Sequence, residues 1–180
     1  MQIKVAKSAG FCFGVKRAVG IAESYSEKGI PAVTLGEIIH NPTVVESLRR
    51  RGVLPIENID ECPKGATVIL RSHGVPLSVI EKLEEKGIPY EDATCPFVAR
   101  IHKIVAERTA AGDVVILTGN PGHAEVKGII GHAKGDVRVV RNLSELEKLT
   151  ENEKNLCANC YTLLSQTTFL RAEWEKCEKF

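Results

Sequence analysis

The sequence predicts an α/β fold built on parallel sheets. Short, continuously apolar runs such as residues 67–70 (Thr-Val-Ile-Leu) have the length and composition of strands buried on both faces. Amphipathic stretches of helical length separate these runs, as in βαβ units. A weak repeat adds to the pattern: residues 27–31 (Glu-Lys-Gly-Ile-Pro) recur unchanged at residues 85–89. Both copies stand where a helix leads into a strand, so shared turn chemistry alone also accounts for the match.

Proline and glycine mark the helix boundaries. Pro42 and Pro96 suit the first turn of a helix, since that turn leaves its backbone N–H groups unpaired anyway. Gly29, Gly52 and Gly87 suit the position just past a helix end, where a left-handed backbone is common. With the amphipathic periodicity, these signals predict helices at residues 15–28, 42–51, 77–86, 96–111, 125–133, 143–149 and from 170 onward.

Runs rich in β-branched and aliphatic residues between these helices predict the strands. Two similar α/β units are expected, with their boundary near Cys95 and Pro96. The predicted strands are residues 3–6, 32–35, 67–70, 90–92, 113–117, 137–140 and 161–164.

Composition disfavours several classes of function. The 180 residues include 24 basic and 23 acidic side chains, so no net field attracts nucleic acid or an anionic membrane. Aromatic residues make up 5% and form no basic–aromatic stripe, which disfavours a nucleic-acid surface. No apolar run approaches the ~20 residues of a membrane span, and the first residues lack a signal-peptide core, which predicts a cytoplasmic protein. In that compartment the six cysteines indicate metal-binding, catalytic or buried thiols rather than disulfides.

Three histidines follow predicted strands at the same relative position. His40, His73 and His123 each stand shortly after a strand, at the sheet edge where α/β proteins bind ligands. A single histidine there is more often a hydrogen-bonded loop residue, but three in matching positions favour a metal or phosphate site. By contrast, His102 and His132 fall inside predicted helices and have the pattern of ordinary core or surface residues.

Two cysteines occupy similar strand-to-helix turns. Cys12 lies between Gly10 and Gly14, before the first helix, and Cys95 directly precedes Pro96. A thiol at a helix N-terminus can be a nucleophile, a redox group or a metal ligand, and the structural alternative is a small buried apolar residue. Convergent cysteines favour a soft-metal site, although two thiolates alone leave the ligand shell of a metal centre incomplete.

Polar residues follow two of the later strands. Glu125, two residues after His123, is a candidate proton donor or simply a favourable charge at a helix N-terminus. Gln166, Thr167 and Thr168 follow the last predicted strand, and either threonine can instead cap the final helix.

The remaining cysteines carry weaker signals. Cys157 and Cys160 form a lone C-x-x-C, which favours a structural or incidental pair over a zinc module because a second pair is lacking. Neither Cys62 nor Cys177 is assigned a role.

Five short segments follow one another along the chain and, in this order, resemble 4-hydroxy-3-methylbut-2-enyl diphosphate reductase, the last enzyme of the non-mevalonate isoprenoid pathway. The similarity covers nearly the whole chain. The segments are Gly10-Phe-Cys12-Phe-Gly14-Val-Lys-Arg-Ala18, Ser72-His73-Gly74-Val75, Asp92-Ala-Thr-Cys95-Pro96, Gly122-His123-Ala-Glu125-Val126 and Gln166-Thr167-Thr168.

The resemblance implies an oxidoreductase of three similar α/β units arranged like a trefoil around a central cavity. Residues 14–95 match the first unit and residues 96–180 the second. Residues 1–13, a strand and the cysteine turn, match part of the third unit. Each unit of the family contributes one cysteine to an oxygen-sensitive 4Fe-4S cluster, which leaves one iron free for the substrate hydroxyl. Cys12 and Cys95 match two of those ligands.

The family also implies how a small allylic diphosphate substrate is reduced. Two electrons, from a donor such as ferredoxin or flavodoxin, and protons through Glu125 remove the C4 hydroxyl and yield isopentenyl and dimethylallyl diphosphate. Glu125, Thr167 and His123 match residues near the reacting atoms. The implied substrate-binding residues are His40, His73, His123, Gln166 and Thr168.

The sequence departs from the family pattern near its end. The family has a third cysteine well beyond the Gln-Thr-Thr motif and then a Ser-x-Asn diphosphate motif, and the sequence reaches Phe180 before either. Cys177 lies too close to Thr168, and on a predicted helix, to replace that cysteine. We therefore expect the N-terminal two-thirds of a reductase, with its third unit absent and little activity alone. The alternative is a truncated, non-catalytic diphosphate- or metal-binding module of the same fold.

Overall fold

The computed structural model describes residues 3–7, 9–152 and 160–180, in which helices and strands alternate along the chain. The strands are β1 (Ala32–Leu35), β2 (Leu54–Ile56), β3 (Thr67–Leu70), β4 (Tyr90–Asp92), β5 (Val114–Thr118), β6 (Val137–Val140) and β7 (Tyr161–Ser165). The helices are α1 (Phe13–Glu27), α2 (Pro42–Arg50), α3 (Leu77–Glu85), α4 (Pro96–Ala110), α5 (Ala124–Ile130), α6 (Leu143–Asn152) and α7 (Arg171–Lys179), with a short 3₁₀ helix at Ile59–Glu61.

One strand prediction was wrong, and one strand was missed. Residues 3–6 have no regular secondary structure, and the Ile3 and Val5 side chains are 76% and 80% exposed. An isolated strand leaves its N–H and C=O groups without a ladder, and no strand in the described part of the chain pairs with this segment. Conversely, β2 was not predicted because it has three residues, one of them Pro55. Proline is tolerated there because β2 is an edge strand.

The first sheet is parallel throughout, with the strand order β2-β1-β3-β4. Ile69, on the inner strand β3, is fully buried and packs in a cluster with Ala18 and Ala22 of α1 and Leu48 of α2. The small alanine side chains let α1 lie close to the sheet.

The second sheet is also parallel, with the order β6-β5-β7, and every residue of β5 is buried. Because side chains alternate across a strand, β5 supplies both faces of the sheet. Val115 and Leu117 pack with α4 and α5, and Ile116 packs with Leu146 of α6 and Cys177 of α7. The prediction of an α/β fold with parallel sheets is confirmed.

The chain divides into two compact units. Unit 1 comprises Met1–Ser72 and Ile88–Cys95, and unit 2 comprises His73–Gly87 and Pro96–Phe180. The predicted division had placed residues 73–87 in the first unit, whereas the structure groups them with unit 2. The physical reason lies at Gly131, whose carbonyl accepts a hydrogen bond of 3.3 Å from the Leu77 N–H. Pro76 packs so closely on Gly131 that a Cβ there would overlap it.

The assignment of residues 1–13 to a further unit stays a prediction. In the described ranges, no helix is both long and apolar enough to cross a membrane.

Ile69→Ala tests the core of unit 1. Removing a fully buried side chain from the inner strand should lower the free energy of unfolding by about 2–5 kcal/mol. The matched control is Leu54→Ala on edge strand β2, where the side chain is 46% exposed and the loss should stay under about 1 kcal/mol. Urea unfolding measures both, and equal losses would contradict the assigned core.

Candidate functional site

Cys12 stands at the N-terminus of helix α1. Its backbone is extended (φ −63°, ψ 165°), and its carbonyl accepts the helical hydrogen bond of the Lys16 N–H at 2.9 Å. The Cys12 side chain is exposed and makes no capping hydrogen bond. The exposed helix N–H groups carry partial positive charge, so this position favours an anionic ligand or side chain.

Cys95 stands at the end of a tightly bonded turn between β4 and α4. The Asp92 Oδ1 accepts a hydrogen bond of 2.8 Å from the Thr94 N–H, which closes an Asx turn. The Cys95 N–H then donates to the Ser72 carbonyl at 2.9 Å. These two bonds fix the backbone from which the half-buried Cys95 thiol projects.

Gly14 lies two residues after Cys12 and in contact with the Cys95 side chain. A Cβ at Gly14 would overlap the Cys95 sulfur and come within 3.0 Å of the Cys95 Cβ. The Cys95 thiol therefore lies against the first turn of α1, the turn that begins directly after Cys12. The structure brings the two predicted thiols to one helix end, and all three residues belong to unit 1.

An arginine lies elsewhere in unit 1, directly after strand β3. The Arg71 guanidinium rests on Gly36, where a Cβ would come within 2.9 Å of its Nη1. Burial lowers the pKa of Arg71, while the charge of Glu57 raises it. Arginine nevertheless remains protonated in proteins, so Arg71 places a positive charge beyond the carboxyl end of β3.

Two of the three predicted histidines contact each other in unit 2. The rings of His73 and His123 meet edge to face, with centroids 5.5 Å apart and planes at 82°. His123 is the N-cap of α5, and its Nδ1 accepts a hydrogen bond of 3.1 Å from the Glu125 N–H. In the neutral ring the proton must therefore reside on Nε2. His40 belongs to unit 1, where its exposed ring has Nδ1 3.6 Å from the Glu37 carboxylate.

Glu125 is bound to the segment that follows β7. Its carboxylate, 1% exposed, accepts the Thr167 N–H at 2.6 Å on Oε1 and the Thr167 hydroxyl at 2.8 Å on Oε2. Glu125 is thus more than a surface charge at the start of α5. Thr167 in turn does not cap α7, whose N-cap is Leu170 without a side-chain hydrogen bond.

Gln166 and Thr168 form a second polar group after β7. The Gln166 Oε1 accepts the Asn120 N–H at 3.1 Å, and its Nε2 donates to the Thr168 hydroxyl at 2.6 Å. Both residues line an open cavity of about 450 Å³, with Arg141 and Glu173 also in its wall. The carboxyl ends of β5 and β7 therefore present a row of oriented polar groups.

The other two histidines have structural positions. His102 is buried in α4 and stacks on His132, with ring centroids 4.1 Å apart and planes at 18°. The prediction that His132 lies in a helix was wrong, since α5 ends at Ile130. The His132 Nε2 lies 3.0 Å from the Val75 carbonyl, so this pair supports the backbone close to His73.

Two of the remaining described cysteines, Cys62 and Cys177, are poor ligand candidates. Cys177 is buried in α7, and burial raises the pKa of its thiol; burial also raises the pKa of Cys62. A protonated thiol is a weak metal ligand. Cys160 is exposed before β7, and Cys157, the other half of the C-x-x-C pair, lies outside the described residues.

Three supporting residues were missed in the sequence. Arg17 donates to the Thr94 and Asp92 carbonyls, Asp92 closes the Asx turn, and Asn120 accepts the Gly122 N–H on its Oδ1 at 2.9 Å. Asp92 and Asn120 had a readable signal, because both residue types favour turns through such local bonds. Arg17 had none, because its partners lie 75 and 77 residues away.

The family profile described as LytB protein matches residues 3–180. The chain belongs to the LytB family. Curated relatives of the LytB chain are named 4-hydroxy-3-methylbut-2-enyl diphosphate reductase. The one from Caldanaerobacter subterraneus subsp. tengcongensis is 42% identical over 179 residues, which is 97% of the chain and 60% of that relative. The one from Aquifex aeolicus is 42% identical over 158 residues, 86% of the chain and 54% of that relative.

Solved structures agree with this assignment. The E-1-hydroxy-2-methyl-but-2-enyl-4-diphosphate reductase from Plasmodium falciparum matches with a TM-score of 0.86 and 28% identity. The match covers 96% of the LytB chain and 54% of the solved Plasmodium chain. A structure of (E)-4-hydroxy-3-methyl-but-2-enyl diphosphate reductase, described as the terminal enzyme of the non-mevalonate pathway, matches with a TM-score of 0.82 and 39% identity. It covers 97% of the LytB chain and 61% of the solved chain. The family resemblance seen in the sequence is confirmed, and the chain spans 54–61% of the length of these relatives.

Two glycines of α1 test the approach of Cys95. Gly20→Ala, with no atom within 4 Å of the added Cβ, should stabilise unit 1 by about 0.5–1 kcal/mol because alanine favours the helix. Gly14→Ala should instead destabilise it by about 1–3 kcal/mol, because the methyl group meets the Cys95 side chain. Thermal unfolding of the two variants measures this opposite sign. A stabilising Gly14→Ala would show that the helix and thiol are not in contact.

Glu125→Gln and Thr167→Val test the bond between α5 and the segment after β7. The amide of Gln offers only one acceptor oxygen, so one Thr167 donor loses its partner, and the loss should be about 1–3 kcal/mol of unfolding free energy. Because the two residues are in contact, the double variant should cost less than the sum, with a coupling of about 0.5–3 kcal/mol. Additive losses in denaturant unfolding would contradict the hydrogen bond.

Proposed function

We propose that the chain forms the part of a 4-hydroxy-3-methylbut-2-enyl diphosphate reductase that supplies two cysteine ligands to an iron–sulfur cluster and part of the substrate pocket. The observation that carries this proposal is the contact between the Cys95 sulfur and Gly14, directly after Cys12. Family membership supports it through the names of the relatives.

The residues present fit such a cluster. Thiolates are the ligands that iron–sulfur clusters take, and Cys12 and Cys95 are the two described cysteines placed just before helices. The missing side chain at Gly14 provides the space that the Cys95 sulfur occupies. When bound, the cluster would supply electrons and a Lewis-acidic iron for the leaving hydroxyl. A third cysteine would come from residues outside this chain.

Glu125 and Thr167 are proposed to move protons. The Glu125 carboxylate is buried, whereas Thr167 is exposed and donates its hydroxyl hydrogen to Glu125. A hydroxyl group both donates and accepts, so Thr167 can pass a proton between the buried carboxyl group and a substrate hydroxyl. The Thr167 N–H holds the carboxylate in the required orientation.

The histidines are proposed to bind the diphosphate. Because the Nδ1 of His123 accepts the Glu125 N–H, its Nε2 is the protonated nitrogen and suits a phosphate oxygen or the reacting hydroxyl. His73, in contact with His123, would bind the same anion. His40, in unit 1, is proposed as a substrate-binding residue because it matches one in the resemblance of the sequence to the reductase. Gln166 and Thr168 would bind the substrate from their hydrogen-bonded pair.

The electron donor and compartment are part of the same proposal. A small redox protein such as ferredoxin or flavodoxin would deliver two electrons, and the reaction would take place in the cytoplasm. The near-balanced charge of the chain, +1, gives no support to a nucleic-acid partner.

Cysteine variants test the proposed cluster. In a protein completed with the C-terminal segment of a relative and reconstituted anaerobically with iron and sulfide, Cys12→Ser and Cys95→Ser should each lose most of the bound iron and sulfide, because each removes one thiolate. Cys62→Ser, a loop cysteine whose pKa is raised by burial, is the matched control and should keep both. Iron and acid-labile sulfide analysis measures the result.

Turnover separates the reductase from a non-catalytic module. In a protein completed with the C-terminal segment of a relative, reduction of 4-hydroxy-3-methylbut-2-enyl diphosphate by a chemical reductant should be lost in Cys12→Ser and kept in Cys62→Ser. Full activity of Cys12→Ser would show that the cluster assignment is wrong. Binding of the diphosphate without reduction in the completed wild-type protein would instead favour the non-catalytic module.

A further inference from the structure

Arg17, on the second turn of α1, joins this helix to the turn that carries Cys95. Its Nη1 donates to the Thr94 carbonyl at 3.2 Å, and its Nη2 donates to the Asp92 carbonyl at 3.1 Å. The side chain is half-buried, and all of these residues belong to unit 1. The two hydrogen bonds attach the turn to α1, and the Cys95 N–H attaches it to the Ser72 carbonyl.

The Thr94–Cys95 peptide group is held from both sides. Its carbonyl accepts the Arg17 hydrogen bond, and its N–H donates to the Ser72 carbonyl at 2.9 Å. Because a peptide group is planar, rotating it would break both bonds at once. The orientation of this plane sets the direction in which the Cys95 Cα–Cβ bond leaves the backbone.

We propose that Arg17 is a positioning residue that fixes the Cys95 thiol relative to Cys12. The proposal rests on the proposed function of these thiols as ligands of one cluster. Three residues at the start of α1 then act on the two thiols. Cys12 precedes the helix, Gly14 leaves room for the Cys95 sulfur, and Arg17 fixes the backbone of Cys95. A shift of the helix moves both thiols together.

The arrangement requires arginine rather than any cation. A guanidinium presents several N–H donors in a rigid fork, so it reaches two carbonyl groups at once, whereas a lysine ammonium is a single point of charge on a flexible chain. Lys16, the preceding residue, has the same charge, but its side chain is exposed. It is therefore a matched control for the loss of charge alone.

Amide hydrogen exchange in the metal-free chain tests the positioning itself. Arg17→Ala should speed the exchange of the Thr94 and Cys95 amides by about tenfold, which corresponds to about 1.4 kcal/mol of lost local stability. Arg17→Lys should give a smaller increase, and Lys16→Ala none. The Ala22 amide of α1 reports on unfolding of the helix and should keep its protection in all three variants. Equal exchange at Thr94 and Cys95 in Arg17→Ala and Lys16→Ala would overturn the proposal.

Iron release tests the consequence for the cluster. In the completed and reconstituted protein, Arg17→Ala should lose iron to a chelator about tenfold faster than wild type, the size of effect known for residues that orient metal ligands. Lys16→Ala should match wild type, and Arg17→Lys should lie between them. Release at the wild-type rate from Arg17→Ala would overturn the role of Arg17. If the completed wild-type protein takes up no iron and sulfide, the proposed function fails, and the exchange experiment on the metal-free chain still decides whether Arg17 positions Cys95.

Discussion

The close approach of helix α1 to the Cys95 turn is the constraint on which unit 1 depends. Gly14, Ala18 and Ala22 are spaced by four residues, so they share one face of the helix, and all three are buried. Larger side chains on this face would push the helix away from the sheet and from Cys95. Glycine inside a helix costs about 1 kcal/mol relative to alanine. The contact with Cys95 explains why position 14 has glycine, whereas Ala18, one turn later, has a methyl side chain.

In unit 2 the main constraint is the burial of a carboxylate, that of Glu125. Strands β5 and β7 are neighbours with Thr118 opposite Ser165, so the segments that leave their carboxyl ends start side by side. This register brings the Thr167 N–H and hydroxyl to Glu125, although the two residues are 42 positions apart. A buried carboxylate is tolerated when its oxygens accept hydrogen bonds, and Thr167 provides two of them. The same bonds connect the buried group to an exposed hydroxyl.

Local chemistry made most of the fold predictable, and long-range contacts account for the errors. The starts of α2 and α4 at Pro42 and Pro96 were predicted to the residue because proline acts through its own backbone. The strand at residues 3–6 was wrong because an apolar run becomes a strand only when another strand pairs with it. The strand-end rule located Cys95 and the segment of Gln166–Thr168, but no local pattern reveals that Arg17 reaches Thr94. Helices α1 and α3 end, as expected, where the repeated residues 27–31 and 85–89 begin. The repeat did not indicate that α3 groups with unit 2.

The described cysteines share a residue type but lie in different environments. Cys177 packs in an apolar cluster, and burial raises the pKa of its thiol and that of Cys62, which disfavours the thiolate form of both. Cys12 and Cys95 instead stand just before helices, where unpaired backbone N–H groups favour negative charge. Because Gly14 has no side chain, the Cys95 thiol lies against the N-terminus of α1, the helix that Cys12 precedes. A count of cysteines would give them equal weight, whereas the helix ends and the absent side chain at Gly14 set Cys12 and Cys95 apart from Cys62 and Cys177.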